Sequence, residues 1–329
     1  MALVDRFQNY TRSHALFQPA DHLLLAVSGG LDSVVLAHLC HRCGFRLSIA
    51  HANFGLRGAE SERDAVFVSE LATSLSVPLH TKRFDTKQYA DERKASIQVA
   101  ARELRYAWFR ELVDTHRLSR IATAHHQDDN VETVLMNLAK GTGIAGLTGI
   151  EPRAGNLVRP LLFATRAELE EFAKSAGFTW VEDSSNVDTK YTRNRFRADV
   201  IPALEAAIPQ ARHGIAATIG RMREAETLYA QAIASHKKDL LETHGAEIHL
   251  PVRKLLKKEP LATILFEILR GYGFSSAGAA EAQKLLDAET GRYVCSDTHR
   301  VIRHRDWLII APVAVEGQSV IVIEEGQTP

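Results

Sequence analysis

The chain has 329 residues, and its 40 lysines and arginines balance 40 aspartates and glutamates, so its formal net charge is zero. Taken over the whole chain, this balance gives no sign of a nucleic-acid partner, because such proteins usually carry a basic excess. A hydrophobic content of 45% and a charged content of 24% are typical of a globular protein, and the length favours two domains or three.

Membrane and secretory classes are excluded on apolar patterning. The longest nearly apolar stretch, residues 307–315, contains Pro312, and a membrane span needs roughly 18 or more apolar residues. Asp5 and Arg6 interrupt the N-terminus before any apolar run forms, so no secretory signal is expected. Three cysteines do not make a disulfide framework in a chain of this length. The sequence therefore predicts a reduced, cytoplasmic protein without a membrane partner.

Short apolar runs alternate with amphipathic segments through the first part of the chain. The runs that predict strands are residues 23–27, 47–50, 77–81 and 120–124. The segments with helical spacing of apolar residues are 32–43, 59–75, 97–116 and 130–139. This rhythm predicts an α/β fold with a parallel, doubly wound sheet covered by helices on both faces.

The pattern changes after residue 140. Five glycines between residues 141 and 155 predict a long loop, and Thr165 with Glu168 predicts a capped helix start. Further helices are predicted at 210–243, 260–271 and 277–288, followed by two or three antiparallel strands at 292–310. We therefore predict a first domain at 1–208, a helical linker and smaller α+β domain at 209–315, and an acidic tail at 316–329.

Residues 28–33, Ser-Gly-Gly-Leu-Asp-Ser, lie where the first predicted strand ends and a helix begins. Ligands bind at this edge of a parallel sheet, and the glycines allow the backbone to approach an anion at the helix N-terminus. The serines add hydroxyl donors. A carboxylate at Asp32, beside phosphates, implies an intervening metal ion such as Mg²⁺. The structural alternative is an ordinary capped turn.

The 28–33 loop has neither the lysine of a Walker A loop nor the third glycine of a dinucleotide fingerprint. It resembles the pyrophosphate loop, or PP-loop, of the N-type ATP pyrophosphatases. That resemblance implies cleavage of ATP between the α and β phosphates and adenylation of a substrate, without identifying the substrate.

Other polar groups follow strands or begin helices near the same sheet edge. His51 follows the second predicted strand, and Arg102 and Arg105 share a helix face at i, i+3 spacing. Asp129 and Glu132 have the same spacing at the start of a later helix. Each feature has a plain alternative, since arginines on helices are usually solvated and acids are favoured at helix starts. Their convergence on one sheet edge favours an active site.

Taken in order, the motifs resemble the tRNA(Ile)-lysidine synthetase family in a short form, without the further C-terminal domain of some members. The segments that carry the resemblance are residues 28–33, 51–58, 100–106, 124–133, 140–143, 159–161, 182–186 and 193–197. They cover the chain from about residue 20 to 205, and the rest is compatible with the family's C-terminal part. The sequence departs from the family at Phe54, where a second histidine is frequent, at Asn130 and at Lys140.

The resemblance implies an ATP-dependent ligase that modifies the wobble cytidine of tRNA(Ile) with a CAU anticodon. ATP adenylates O2 of the cytidine, diphosphate leaves, and the ε-amine of free L-lysine then displaces AMP from C2. The product is lysidine. A homodimer is left open.

The same resemblance implies roles for individual residues. The ATP-binding set is Ser28, Gly29, Gly30, Leu31, Asp32, Ser33, His51 and Arg102. Asp32 and Asp129 would hold Mg²⁺, and Arg105 would stabilise charge at the transferring phosphorus. Glu132 would orient lysine or accept its proton, since a lysine amine with a pKa of about 10.4 must become neutral to attack.

Two basic segments are predicted to contact tRNA. They are Arg193, Asn194 and Arg197 near the active-site mouth, and Arg253, Lys254, Lys257 and Lys258 in the second domain. The first set could instead be a helix start with solvated arginines. Phosphate contacts need local positive potential, so a zero net charge does not exclude RNA.

Four rival interpretations remain. The pair Cys40 and Cys43 could indicate zinc or redox chemistry, but no second cysteine pair exists, and burial of Cys40 in a helix is favoured. A PP-loop tRNA thiolation enzyme would need cysteines near the crevice motifs, which contain none. An amidotransferase-coupled synthetase would need a glutaminase nucleophile, and a non-catalytic ATP- or tRNA-binding paralogue would have no need of Asp32 and Asp129.

Overall fold

The computed structural model describes residues 2–182 and 192–313. Most of the motif at 182–186 and the predicted acidic tail lie outside these residues. The chain divides into two compact units, Met1–Arg223 and Glu224–Pro329, whereas the sequence suggests a boundary between residues 208 and 209. Within the described part, no helix has the length and apolar composition needed to cross a membrane.

The first unit is built on a mostly parallel sheet. Its strands are β1 (His22–Ala26), β2 (Arg46–Asn53), β3 (Leu79–Arg83), β4 (Arg120–Ala122), β5 (Arg153–Ala154) and β6 (Leu157–Val158). The order across the sheet is β3-β2-β1-β4-β6-β5, and β5–β6 is the antiparallel pair at its edge. In the centre, Leu24 of β1 is in register with Ser48 of β2 and Ile121 of β4. The predicted α/β fold is confirmed.

Helices connect these strands. They are α1 (Leu3–Ser13), α2 (Leu31–Arg42), α3 (Ala59–Ser74), α4 (Thr86–Arg93), α5 (Ile97–His116), α6 (Gln127–Lys140), α7 (Ile144–Leu147), α8 (Arg166–Ser175), α9 (Thr192–Arg195) and α10 (Ile201–Ala207). A π-helical segment, Phe196–Val200, joins α9 to α10, and α11 (Ala211–Leu240) begins in this unit and ends in the second. The predicted start of α8 is confirmed, because Thr165 Oγ1 accepts the Glu168 N–H at 3.2 Å and the Glu168 carboxylate accepts the Thr165 N–H at 2.8 Å.

Both faces of the sheet are buried. Leu23 and Leu25 of β1 pack in one cluster with α2, while Leu24 packs in another with Trp108 and Phe109 of α5. Alternate residues of a strand point to opposite faces, so helices cover the sheet on both sides. Cys40 of α2 is fully buried in the first cluster, and burial raises the pKa of its thiol. This agrees with a structural role for the cysteine.

The second unit contains an antiparallel sheet. Its strands are β7 (Glu242–His244), β8 (Glu247–Pro251), β9 (Tyr293–Cys295), β10 (His299–His304) and β11 (Trp307–Pro312), in the order β7-β8-β11-β10-β9. Its further helices are α12 (Val252–Leu255), α13 (Leu261–Leu269) and α14 (Ser276–Lys284). A core that includes Leu250, Leu265 and Val301 joins helices to sheet. The predicted strands at 292–310 are confirmed, whereas the hairpin of β7 and β8 was not predicted.

Candidate active site

A cavity of about 560 Å³ opens beside the residues that follow β1 and β4. The predicted site residues that line it are Ser28, Gly30, Leu31, Asp32, Ser33, Arg105, Asp129, Arg193, Asn194 and Arg197. Phe54, the departure from the family pattern, also lines the cavity and stacks on Phe84 with 5.8 Å between ring centroids. The structure thus brings together residues that are far apart in the sequence.

Hydrogen bonds within the loop between β1 and α2 fix its conformation. Ser33 Oγ accepts the Ser28 N–H at 3.2 Å and donates to the Gly30 carbonyl at 2.9 Å. Gly29 has φ of +96°, and its carbonyl accepts the Val181 N–H at 2.9 Å. The first N–H groups of a helix have no partner within the helix, and the first residues of α2, Leu31, Asp32 and Ser33, line the cavity. This helix start is therefore suited to bind an anion.

Two carboxylates approach His126 from different elements. Its Nε2 lies 3.7 Å from Asp32 Oδ2 and 3.5 Å from Asp129 Oδ2. Asp32 Oδ1 is buried without a hydrogen-bond partner, and burial raises the pKa of Asp32. Burial also acts on Asp129, but the charges of His126 and His125 outweigh it and lower the Asp129 pKa. The free oxygen of Asp32 is suited to a hard cation.

Asp32 and Asp129 would supply part of a magnesium shell. Among residues 2–182 and 192–313, no group of three or more His, Cys, Asp or Glu side chains is arranged to hold a metal ion. Mg²⁺ is commonly held by one or two carboxylates together with substrate phosphates and water. The pair therefore fits a cation that arrives with a nucleotide.

His126 lines the cavity although only 2% of its surface is exposed, and Asp128 lies on the other side of its ring. Its Nδ1 lies 3.4 Å from Asp128 Oδ2. Burial alone would lower the pKa of His126, but the close contact with Asp128 and the charges of the neighbouring carboxylates raise it. The pattern of residues around His126 and Asp128 does not indicate their partners, because these partners are fixed by packing.

Glu132 lies away from the cavity lining and is 1% exposed. Its carboxylate accepts Arg197 Nε at 2.6 Å and Nη2 at 3.1 Å, and Arg193 Nε lies 3.2 Å from Oε2. Both oxygens therefore bind guanidinium groups that reach the cavity. A role for Glu132 as a base stays a prediction.

Arg105 lines the cavity, and one of its N–H donors has no hydrogen-bond partner. Its guanidinium carbon lies 5.1 Å from the Tyr106 ring centroid, and its buried Nε has no hydrogen-bond partner. Burial lowers the pKa of Arg105. Arg102 stacks on the same ring at 5.0 Å but does not line the cavity. Arg105 is therefore the better placed of the two to meet an anion there.

His51 and Gly29 do not line the cavity. His51 is 4% exposed, and its Nδ1 lies 2.9 Å from the Val27 carbonyl oxygen. A carbonyl only accepts, so Nδ1 carries the proton and the ring fixes the backbone immediately before the phosphate loop. A direct contact between His51 and ATP stays a prediction.

The basic cluster predicted in the second unit lies on and after α12. Arg253 is 86% exposed and lies 3.6 Å from Asp306, and Lys258 lies 2.7 Å from Asp239. Lys254 and Lys257 are exposed, and no ion pair to them occurs within the described residues. Asp306 and Asp239 could not be predicted as partners from the sequence, because they lie on other elements.

The cysteines are separate from the cavity. In the described part of the chain, none of its lining residues is a cysteine. Cys40 is in the core, Cys43 is half-buried and Cys295 is exposed in the second unit. The described lining therefore lacks the cysteines that a PP-loop tRNA thiolation enzyme would need.

Two family models match most of the chain. The family described as the PP-loop domain matches residues 3–204, and the TilS substrate binding domain matches residues 243–313. The chain is 39% identical to tRNA(Ile)-lysidine synthase of Parabacteroides distasonis, with 98% of this chain and 73% of that protein covered. It is 36% identical to the synthase of Chlorobaculum tepidum, with 88% and 90% covered.

A solved structure with a similar fold is the U34-tRNA thiolase NcsA from Methanococcus maripaludis. Its TM-score is 0.54 at 15% identity, over 67% of this chain and 78% of that one. At this identity the similarity concerns the fold alone, since one fold serves many functions.

Proposed function

This chain belongs to the tRNA(Ile)-lysidine synthase family, and from its family and its cavity we infer that it ligates L-lysine to the wobble cytidine of tRNA(Ile) with a CAU anticodon. It is a ligase that forms a C–N bond and uses ATP. One observation carries this conclusion: a single cavity combines an anion-binding loop, two carboxylates and the unpaired donor of Arg105. We assign ATP binding and catalysis to the first domain and tRNA binding to the second.

In the first step, O2 of the cytidine bonds to the α-phosphorus of ATP. The bond from that phosphorus to the oxygen bridging to the β-phosphorus breaks, and diphosphate leaves. Ser28, Ser33 and the N-terminus of α2 would bind the phosphates, and Arg105 would stabilise the charge that develops at the α-phosphoryl group. The buried, unpartnered Nε of Arg105 supports this role.

In the second step, the ε-amine of lysine bonds to C2, the C2–O bond breaks, and AMP leaves with the former carbonyl oxygen. The amine attacks in its neutral form, so a proton must first be removed. We propose Glu132 as the acceptor, acting after one of its guanidinium partners moves to substrate. In the described structure, Glu132 holds Arg193 and Arg197 at the cavity.

We also propose that Asp32 and Asp129 hold Mg²⁺ when ATP binds. The buried, unpartnered Oδ1 of Asp32 supports this assignment. A bound magnesium ion would offset charge on the transferring phosphates and on the leaving diphosphate. The substrates proposed are free L-lysine and tRNA, and the tRNA substrate is the reason for expecting a cytoplasmic location.

Incubation with ATP, labelled lysine and a transcript of tRNA(Ile) with a CAU anticodon tests the proposal. We expect lysine incorporation into the tRNA and tRNA-dependent release of diphosphate. A transcript with uridine in place of the wobble cytidine is the substrate control, and Asp32→Asn is the enzyme control. Absence of both lysine incorporation and tRNA-dependent diphosphate release would reject the proposal.

A further inference from the structure

The carboxylate of Asp128 joins three elements behind the cavity. It accepts the backbone N–H of Arg166 at the start of α8 at 2.7 Å, and it binds the guanidinium of Arg212 in α11. Its third neighbour is His126 Nδ1, at 3.4 Å. Asp128 is 6% exposed and does not line the cavity, although the adjacent Asp129 does. The two aspartates therefore act on opposite sides of the same helix start.

This arrangement orients His126. Asp128 Oδ2 lies 3.4 Å from Nδ1 without the geometry of a hydrogen bond. The negative charge on this side of the ring nevertheless favours a proton on Nδ1 and this orientation of the imidazole. The opposite ring nitrogen, Nε2, then faces Asp32 at 3.7 Å and Asp129 at 3.5 Å. Because Asp32 comes from α2 and Asp129 from α6, the ring connects the two carboxylates across the sheet edge.

The guanidinium of Arg212 is also held by a second carboxylate, that of Glu205. Its Nε and Nη2 donate to the two oxygens of Glu205 at 2.9 and 3.0 Å, while Nη1 binds Asp128. Paired guanidinium donors of this kind fix orientation as well as charge. Glu205 is 33% exposed, whereas the Asp128 side chain is 9% exposed, so the two partners of Arg212 lie in different surroundings.

We propose that Asp128 and Arg212 are positioning residues for adenylation, which act by holding His126 between Asp32 and Asp129. The inference rests on the proposed function. It differs from a plain structural ion pair, which would stabilise the packing of α6 against α11 without affecting the geometry of the carboxylates. Neither residue touches the reacting atoms.

Kinetics of four variants test the proposal: Asp128→Asn, Arg212→Gln, the double variant and Arg212→Lys. Partners that orient such site residues typically contribute about 10- to 100-fold. We therefore expect each neutralising variant to lower kcat for tRNA-dependent diphosphate release by about that factor, with the KM for ATP within about threefold. The double variant should lose no more than either single one, because the residues act as a unit. Arg212→Lys, which keeps the charge, should recover part of the loss.

Glu205→Gln is the matched control. It removes the other carboxylate partner of Arg212 but leaves Asp128 and His126 intact, so kcat should stay within about twofold of the parent protein. A fall as large as that of Asp128→Asn would overturn the proposal.

A second measurement does not depend on turnover. NMR of the isotope-labelled histidine ring nitrogens, with His126→Asn used for assignment, reports the hydrogen bonding of His126 in protein free of ATP and metal. We expect Asp128→Asn and Arg212→Gln to shift both ring-nitrogen resonances of His126, and Glu205→Gln to leave them in place. Unchanged resonances in folded variants, additive losses of kcat, or a loss that follows thermal unfolding alone would each overturn the proposal. If the parent protein incorporates no lysine, the proposed function fails, and the NMR result alone decides the position of His126.

Discussion

Arg197 binds both carboxylate oxygens of Glu132, with Nε at 2.6 Å and Nη2 at 3.1 Å, across 65 residues of sequence. The same Nη2 lies 3.3 Å from Asp129 Oδ1. A single guanidinium therefore connects the buried acid to the carboxylate that faces the cavity. Burial and several charges act on Arg197, and the acids outweigh burial and raise its pKa.

Glu132→Gln separates the two chemical steps. The amide keeps an acceptor oxygen but cannot take a proton, and base catalysis typically contributes about 10²- to 10⁴-fold. We expect adenylated tRNA to form within about tenfold of the normal rate, and lysine transfer to fall by that base-catalysis factor. Single-turnover assays with isolated adenylated tRNA measure the second step. Normal rates of both steps would rule out the base role.

Arg105→Ala tests the stabilisation of the transferring phosphoryl group. Loss of one such donor typically costs about 10²- to 10³-fold in rate, and we expect adenylation to slow accordingly. Arg102→Ala is the matched control, because Arg102 stacks on the same tyrosine at 5.0 Å but does not line the cavity. Both variants are compared by the rate at which they release diphosphate in the presence of tRNA. Equal losses would show that stacking on Tyr106, and not the cavity-facing donor, is what matters.

Gly29→Ala tests the strained turn of the phosphate loop. Gly29 has φ of +96°, and an added Cβ would lie 3.4 Å from Phe67 Cδ1. A side chain in this backbone region costs about 1 to 3 kcal/mol, so we expect a lower unfolding temperature. Gly30→Ala is the control, since Gly30 has φ of −73° and the nearest atom to an added Cβ is 3.6 Å away. Thermal unfolding compares the two; an unchanged midpoint for Gly29→Ala would contradict the prediction.

His38 provides a pH dependence remote from the cavity. Its ring stacks on Phe178 with 3.6 Å between centroids, and burial lowers its pKa from 6.5 to about 4. Between pH 6.5 and about 4, the unfolded chain binds a proton at His38 that the folded protein excludes. The contribution of His38 to the free energy of unfolding is therefore complete above pH 6.5 and is lost as pH falls to about 4. His38→Phe keeps the stack and removes the proton site. Its unfolding midpoint should fall less steeply over this range than that of the parent, and parallel curves would contradict the assignment.

Charge reversal tests the RNA surface of the second unit. Lys254→Glu combined with Lys257→Glu should weaken tRNA binding and flatten its dependence on salt, because fewer phosphate counterions are released. ATP binding should not change. Lys284→Glu is a control in the same unit, where Lys284 lies 2.7 Å from Glu281. Equal tRNA affinity for the reversed and parent proteins, measured over a salt series, would place the RNA elsewhere.

Local patterns predicted much of the fold and of the site. The alternation of apolar runs and helical segments depends on near neighbours in sequence, and it placed the 28–33 loop at a strand end and Arg105 and Asp129 on helices near the sheet edge. Fold-level rules then brought these segments to one edge, because parallel strands end together. The i, i+3 spacing of Asp129 and Glu132 also gave their shared face, and both contact Arg197.

Tertiary packing decided which groups face the cavity and which are enclosed behind it. Asp128 and Asp129 are adjacent in sequence, yet only Asp129 lines the cavity, while Asp128 binds Arg212, 84 residues away. The neutral total of charges likewise gave no indication that Arg193 and Arg197 bind Glu132, or that Asp306 and Asp239 pair with the ends of the basic cluster. The sequence by itself determined which motifs are present and which of them lie on strands, helices or the loops between them. Pairing of distant charges depends on how the packed elements exclude water, which no local pattern records.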